Sequence, residues 1–194
     1  NSECIGANIM SKYIGTPVVN LSVDTVDVTG DITATDSTPE LILLNDTHED
    51  TDGGREGKIT FKGEQSGGEV TVLAQIQSGH DGTSDDEKGE LIFKTNDGND
   101  GSSPSEVMRI DSLGNVGIGT DTPSDFDVAG DNLVVGTGTG NNGITVFSGT
   151  SNSGSLFFAD GTGSAAAKAD GYVQYDHANQ KLTFGTNDGT AQVR

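Results

Sequence analysis

Residues Leu91–Gly98 read LIFKTNDG, a short run of strand-forming residues that leads directly into an Asn-Asp-Gly turn. β-Branched and aromatic residues favour strands, and Asp-Gly steps favour the positive-φ turns that close hairpins. The octapeptide returns as LTFGTNDG at Leu182–Gly189, 91 residues further along the chain. The stretch therefore predicts β-structure, and its return indicates an internal repeat.

Strand and turn signals recur through the rest of the chain. Alternation of apolar and polar side chains is clearest in Val19–Val28. Gly, Asp, Asn, Ser and Thr interrupt nearly every window of ten residues, so we expect no helix beyond a single turn within Gly163–Asp170. Further short strands are predicted at Leu41–Leu44, Lys58–Lys62, Glu69–Gln77, Glu90–Lys94, Val107–Asp111, Asn132–Val135, Ile144–Phe147, Ser155–Phe158, Tyr172–Tyr175 and Lys181–Phe184.

The repeat extends beyond the octapeptide. Its other matching pairs are Gly57–Phe61 with Asn142–Phe147, Leu41–Leu43 with Leu133–Val135, and Glu106–Arg109 with Ala191–Arg194. The first copy continues past Arg109 whereas the second stops at Arg194, so we expect a longer natural protein. Three domains are predicted: an N-terminal extended or attachment segment (1–38), a first β module (39–130) and a second, truncated module (131–194).

Composition and charge narrow the function classes. Only 31% of the 194 residues are hydrophobic when glycine is left out, against roughly 40–45% in an average globular chain counted in the same way. This shortage indicates either disorder or apolar strips that neighbouring chains complete, and the regular strand patterns favour the second interpretation. A net charge of −20 disfavours nucleic acid and anionic membrane surfaces as partners. The single cysteine, Cys4, rules out a disulfide within the chain, and no apolar run is long enough for a transmembrane helix.

Residues Met108–Ser124 carry a family resemblance. They read MRIDSLGNVGIGTDTPS and, with Phe126–Val128, resemble the MRIDSxGNVGIGTxxPxxxLxV segment common in tail fibres and related virion proteins of tailed bacteriophages, including marine phages. Gly171–Asn187 resembles the strand pair that precedes this segment, and Met10–Gly15 resembles the start of cyanophage-type fibre proteins. The resemblance implies a virion structural component, usually a homotrimer, in which this segment is a shaft or connector without catalytic residues.

The glycine-spaced strand in this motif has two interpretations. Val116 and Ile118 alternate with glycine, so both branched side chains share one face, and the glycines let another backbone approach the other face. That arrangement suits three chains around a shared axis. The alternative is an ordinary strand that ends in a turn at Thr122-Pro123. The residues alone favour neither; the family resemblance favours the intersubunit role.

Several residue patterns are similar to those of catalytic or ligand-binding sites. Gly138–Gly143 matches GxGxxG, but strand-like residues follow where a dinucleotide site needs a helix, so a hairpin loop is expected. His48, His80 and His177 each stand alone in Asp-rich turns and are expected to be exposed. The loops Asp46–Gly53 and Asp81–Glu87 offer alternating carboxylates of the kind that Ca²⁺ prefers, but neither has EF-hand spacing. Paired carboxylates could serve glycoside hydrolysis, yet carboxylates this abundant pair by chance.

We therefore predict an all-β, elongated repeat of short-strand modules, sandwich- or prism-like and interwoven in a homotrimer. The predicted function is structural, as a shaft or connector of a phage fibre in the virion, with no catalytic, cofactor-binding or metal-binding residues. The expected partners are further copies of the chain and, through the N-terminal segment, other virion proteins. The alternatives are a module that binds host surface glycans, weakly supported by Tyr13, Tyr172 and Tyr175, and a bacterial surface-appendage protein. Residues expected at or near the subunit axis are Val23, Val26, Val28, Val116 and Ile118.

Overall fold

The computed structural model describes residues 30, 31, 33, 35–101, 103–164 and 167–186. The chain divides after Ile42 into two units, and all strands described here lie in the unit Leu43–Arg194. Within the described residues the protein is all-β, as predicted, with one sheet of six strands and one of three. The strands are β1 (Gly57–Glu64), β2 (Val70–His80), β3 (Gly89–Thr95), β4 (Ser105–Ile110), β5 (Val116–Ile118), β6 (Leu133–Val135), β7 (Ser153–Phe158), β8 (Gly171–Asp176) and β9 (Lys181–Thr186).

The first sheet has its six strands in sequence order, β1 to β6. Neighbours from β1 to β5 are antiparallel because short turns join them, whereas β6 lies parallel to β5 after a longer connection. That connection contains a single 3₁₀ turn at Pro123–Asp125. The register shifts once between β1 and β2, at Phe61/Lys62, and once between β3 and β4, at Phe93/Lys94. Such irregularities bend a strand and increase its local twist.

The predicted turn at Asn96–Gly98 and a second turn at Gly114 show why glycine is needed in them. Gly98 has φ +95° in the Asn96–Asp100 loop, where Asn96 accepts a hydrogen bond from the Gly98 amide and Asp97 accepts one from Asn99. Gly114 has φ +87° between β4 and β5. Residues other than glycine rarely adopt these conformations, so the turn positions are determined locally by sequence.

The second sheet, β7-β8-β9, repeats the register of β1-β2-β3. In β1 to β3, Ile59 lies opposite Ile76, which lies opposite Phe93. In β7 to β9, Leu156 lies opposite Val173, which lies opposite Phe184. Extending this correspondence along the strands places Gly57–Phe61 with Gly154–Phe158 and Leu91–Lys94 with Leu182–Gly185.

This register corrects one predicted match. Gly57–Phe61 was matched to Asn142–Phe147 by local identity, but β7 is the strand that takes its place beside β8. Leu41–Leu44 and Ile144–Phe147, both predicted as strands, have no strand conformation. They lack a paired neighbour in the described chain, and a strand is defined by pairing rather than by its own composition. The predicted strand Val19–Val28 and turn Asn187–Gly189 lie outside the described residues.

The described chain has almost no apolar core of its own. Apart from Pro104 and Pro123, Ile92 is the one apolar side chain of the described residues that is buried, at 3% exposure, in the middle of β3. Twenty-four large hydrophobic residues in this part of the chain are more than a third exposed. Burial of apolar surface is the main favourable term in folding, so the location of these exposed side chains bears directly on function.

Candidate functional site

The most distinctive surface is one face of the first sheet. Directly opposed residues in neighbouring strands share a face, so the register defines which side chains lie together. One row runs across all six strands, and a second runs beside it from β3 to β6. We call the resulting set the first apolar face; it comprises Ile59, Phe61, Ile76, Leu91, Phe93, Met108, Ile110, Val116, Ile118, Leu133 and Val135.

The first apolar face is only partly covered. Phe61 is 50% exposed and Ile118 41%, and none of the residues of this face is buried. Its eleven side chains lie in adjacent rows and so form one contiguous, partly exposed apolar patch. Patches of this size mark interaction sites in soluble proteins. The predicted positions Val116 and Ile118 lie on this face, whereas Val23, Val26 and Val28 lie outside the described residues.

The second sheet carries a matching surface. We call it the second apolar face; it comprises Leu156, Phe158, Val173, Tyr175, Leu182 and Phe184. Val146, from the segment before β7, lies against the edge of this face, where Gly154 leaves room for it. A shallow apolar cavity of about 260 Å³ lies between Val146 and the sheet. Both sheets therefore present one apolar face with a similar pattern of residues, except that Tyr175 takes the place of Ser78.

The opposite side of the first sheet differs at Gly117. A Cβ at this glycine would collide with the carbonyl oxygen of Thr120, and it would lie 3.4 Å from the Cδ atom of Pro123. Pro123 is fully buried. The close backbone approach that this glycine permits is therefore made by the chain's own turn. Of the two interpretations of the motif, the ordinary strand that ends in a turn describes this side of β5.

A charged cluster lies on the same side. The Arg109 guanidinium donates two hydrogen bonds to the Glu106 carboxylate, at 2.9 and 2.8 Å, and pairs with Glu90. The Glu90 side chain is 99% buried, and burial raises its pKa although the nearby Arg109 charge opposes the shift. The hydrogen bonds with Glu106 raise the pKa of Arg109. A buried carboxylate with a charged partner fixes the packing of β3 against β4, and nothing about it requires a substrate.

The turn that begins the family-like motif is held by Asp111. Its carboxylate accepts hydrogen bonds from the backbone amides of Leu113 and Asn115, at 2.9 and 2.8 Å, and from the Asn115 side chain. Asp81 accepts a further bond from the amide of Ser112, and bonds from Ser112 are the main reason that the Asp81 pKa is lowered. Asp111 and Asn115 are both buried. These residues of the motif therefore have a local structural role.

His80 corrects the expectation that all three histidines are exposed. Its residue exposure is 1%, and its ring lies between the Asp86 carboxylate, 3.0 Å from Nε2, and the Thr51 carbonyl, 3.3 Å from Nδ1. The His80 hydrogen bond is the main reason that the pKa of Asp86 is lowered. Sequence placed His80 in a turn, but it is the last residue of β2, where the two acidic loops close over it. His48 is exposed and His177 is half-buried.

Arg55 joins the same two acidic loops. It donates from Nε to the Glu49 carbonyl, at 2.8 Å, and from Nη1 to the Asp86 carbonyl, at 2.7 Å, and it pairs with Asp50. Among the described residues no group of three or more histidine, cysteine or acidic side chains is placed to hold a metal ion. Hydrogen bonds of Arg55 and of His80, at the end of β2, therefore connect the two acidic loops.

The GxGxxG pattern lies in the connection between β6 and β7. Gly138 and Gly140 have positive φ, and Asn142 accepts a hydrogen bond from the Thr137 amide, at 3.1 Å. The following residues, Ile144–Phe147, form neither helix nor strand. In place of the predicted hairpin there is a long loop with hydrogen bonds between its own residues. No element within it positions amides as the first turn of a dinucleotide-binding helix does.

Sequence reasoning missed the buried residues His80 and Glu90 and the half-buried Arg109. Part of the signal is local, because Glu90 precedes the apolar run Leu91–Phe93 and Arg109 lies between Met108 and Ile110. Pairing across strands could not be predicted without the register, and the register depends on which strands are neighbours.

The comparisons with known proteins add no relative: the chain matches no protein-family model and no curated protein sequence. None of the helical segments in the described part of the chain could cross a membrane.

Proposed function

We propose that the chain is a structural module of a homotrimeric fibre, serving as a shaft or connector of a phage tail fibre or similar virion appendage. Two independent observations support this proposal. The MRIDSLGNVGIGTDTP stretch at Met108–Pro123 resembles segments of phage fibre proteins. The two apolar faces are open, and apart from two prolines the described residues include one buried apolar side chain, Ile92.

The first apolar face is the observation that carries the proposal. A monomer that left this face in water would forgo the stabilisation of about 25 cal/mol for each Å² of apolar surface. The net charge of −20 keeps the remaining surface soluble and disfavours uncontrolled edge-to-edge association. An apolar face within a strongly acidic surface therefore favours closed assembly over open aggregation. Repetition of the pattern in the second sheet supports a series of modules along one fibre.

Light scattering coupled to gel filtration tests the assembly. We expect a mass of three chains for the wild type. Phe61→Asp introduces a charge into the first apolar face and is expected to raise the subunit dissociation constant by at least about 100-fold, since a buried unpaired charge costs several kcal/mol. The readout is the concentration at which the trimer gives way to smaller species.

Thr60→Asp is the matched control, because Thr60 is the neighbour of Phe61 on the opposite side of the same strand. It adds the same charge to the same strand and should leave the trimer intact. A folded wild-type monomer at high concentration would overturn the proposal, as would equal dissociation by both variants.

The virion location needs its own test. Antibodies raised against the chain, detected by gold labelling on phage particles that contain it, should decorate a thin appendage at the tail, baseplate or head. Labelling restricted to a bacterial surface would favour the appendage alternative and overturn the phage assignment while leaving the trimer unaffected.

A further inference from the structure

The segment that precedes β7 lies against this edge strand with its side chains in alternation. A Cβ added to Gly154 in β7 would lie 3.3 Å from Cγ1 of Val146 and 3.2 Å from Oγ of Ser148, so both side chains lie over this glycine. The Ser148 hydroxyl oxygen is buried. Phe147, between these two residues, is 96% exposed. Phe147 therefore points away from the sheet, while its two neighbours are directed onto it.

The cavity beside this segment is apolar and open to the surface. It has a volume of about 260 Å³, and its apolar lining includes Val146, Leu156, Val173, Tyr175 and Leu182. All of these except Val146 belong to the second apolar face, so the cavity is continuous with a surface through which we propose that copies associate. Pockets within interfaces are commonly filled by an aromatic side chain of the partner, which then contributes strongly to affinity.

The chain does not fill this cavity with its own phenylalanine. Val146 and Ser148 hold the two positions that face Gly154, so Phe147 could turn inward only if both of them left the glycine. A second copy of the chain carries the same exposed phenylalanine without that constraint. An exposed aromatic side chain next to an open apolar cavity, both present on every copy, makes this surface complementary to itself.

The first module has the same arrangement at the corresponding glycine. Gly57 takes the place of Gly154 in the shared register, and a Cβ added to it would lie 3.8 Å from the Cβ atom of Leu43. The next residue, Leu44, is exposed as Phe147 is. In both modules an apolar side chain therefore lies over the edge glycine and an exposed apolar side chain follows it. The exposure of Phe147 belongs to this repeated arrangement.

We propose that Phe147 of one copy inserts into the cavity between Val146 and the second sheet of a neighbouring copy, where it packs on Leu156, Val173 and Leu182. This inference rests on the association of copies proposed above and names the side chain that joins them at the second sheet. None of the described residues that line the cavity is acidic, so the inserted ring meets no buried carboxylate despite the net charge of −20. Three copies can make three equivalent contacts of this kind around a threefold axis.

Photo-cross-linking of the full chain tests the contact directly. With p-azidophenylalanine in place of Phe147, irradiation should give covalent trimers on a denaturing gel, and mass spectrometry of the cross-linked peptides should place the attachment at Leu156, Val173 or Leu182. The same replacement at Phe157, an exposed phenylalanine on the opposite face of the sheet, is the matched control and should give no cross-link to these residues. Covalent dimers alone would uphold the contact but contradict the trimer.

Truncation of the side chain measures what the contact contributes. Phe147→Ala should raise the subunit dissociation constant by about tenfold or more, because it removes an aromatic side chain that is buried only in the assembly. The free chain exposes Phe147, so the variant should keep the wild-type circular dichroism spectrum, and Phe157→Ala should leave the dissociation constant unchanged. Wild-type dissociation in Phe147→Ala, or cross-links confined to one chain, would overturn this contact and leave the trimer standing. A monomeric wild type would overturn both.

Discussion

The strands β1–β3 and β7–β9 share a register but have different neighbours. In the first sheet β3 is an inner strand, paired on its outer side with β4, and its central residue Ile92 is buried. In the second sheet β9 is the last strand among those described, and Thr183 takes the place of Ile92. Glu90 is buried beside Arg109, whereas its counterpart Lys181 is exposed. Corresponding residues of β3 and β9 are therefore buried to different extents, although the two strands share a register.

The difference indicates where each sheet obtains its stability. The first sheet adds three strands, a buried ion pair and a proline-capped turn to the basic three-stranded pattern. Among the described residues the second sheet has no such ion pair or turn, and its polar face carries Phe157 and Tyr172. Both leave an apolar face open. The trimer proposed above would cover these apolar faces.

The largest effect is expected when the charges at the two corresponding positions are exchanged. Glu90→Lys places a second cation beside Arg109 in a buried position and should lower the free energy of unfolding by about 3–5 kcal/mol. Lys181→Glu, at the exposed counterpart, should change it by less than about 0.5 kcal/mol. Urea unfolding followed by circular dichroism measures both. Equal losses would mean that the two environments are alike.

Exchange of the central residues sharpens the comparison further. Ile92→Thr keeps a β-branched side chain but buries a hydroxyl and loses apolar volume, so it should cost about 2–3 kcal/mol. Thr183→Ile, the reverse change at a half-buried site, should stay within about 0.5 kcal/mol. The same denaturation experiment applies. A costly Thr183→Ile would show that the second sheet is packed as tightly as the first.

The turn that covers Gly117 exists only in the first sheet. Gly117→Ala should destabilise the chain by about 1–3 kcal/mol, because the added methyl meets the Thr120 carbonyl and the buried turn must shift. Gly143→Ala is the control, since it has open space around its Cα and no positive φ, and should be close to neutral. Thermal melting of both variants is the measurement. Wild-type stability of Gly117→Ala would refute this account of β5.

The smallest effect concerns acid. The carboxyls of Asp81 and Asp176 both have pKa values lowered below 3.8 by hydrogen bonds, mainly from Ser112 and Asn179. A lowered folded-state pKa means that the stabilisation is complete above the unfolded value and is lost as the pH falls through the folded value. Stability should therefore decrease below about pH 3.8 in wild type and less steeply in the Asp81→Asn, Asp176→Asn double variant. An equally steep loss of stability with falling pH in the two proteins would contradict a role for these two carboxyls.

Much of the fold could be predicted from the sequence because it depends on local preferences. Nine of the short strands predicted by composition or alternation, Val116–Ile118 among them, overlap strands of the structure, and Gly98 occupies a positive-φ turn as its Asn-Asp-Gly context requires. Leu41–Leu44 and Ile144–Phe147 have equally good strand composition and no paired neighbour. Local composition indicates which residues can form a strand, but pairing requires a second segment at the right distance.

The candidate site could be predicted only in part. Alternation placed Val116 and Ile118 on a common face, and the structure puts both on the first apolar face. The contact of Tyr172 with Gly185 could not be predicted in the same way, since the two residues are thirteen positions apart and meet only through the β8–β9 register. The weak aromatic content of the sequence gave no indication that these residues lie together.

The sequence by itself determined the all-β class, the positions of the glycine turns and the internal match between Leu91–Gly98 and Leu182–Gly189. These features follow from backbone preferences that act within a few residues. Only the tertiary structure decided that the turn at Thr120 packs against Gly117 and that His80 is buried between the acidic loops. It also decided that the apolar side chains of β1–β6 lie on one open face. Each of these depends on strand register, which brings together residues that are distant in the chain and which no local preference specifies.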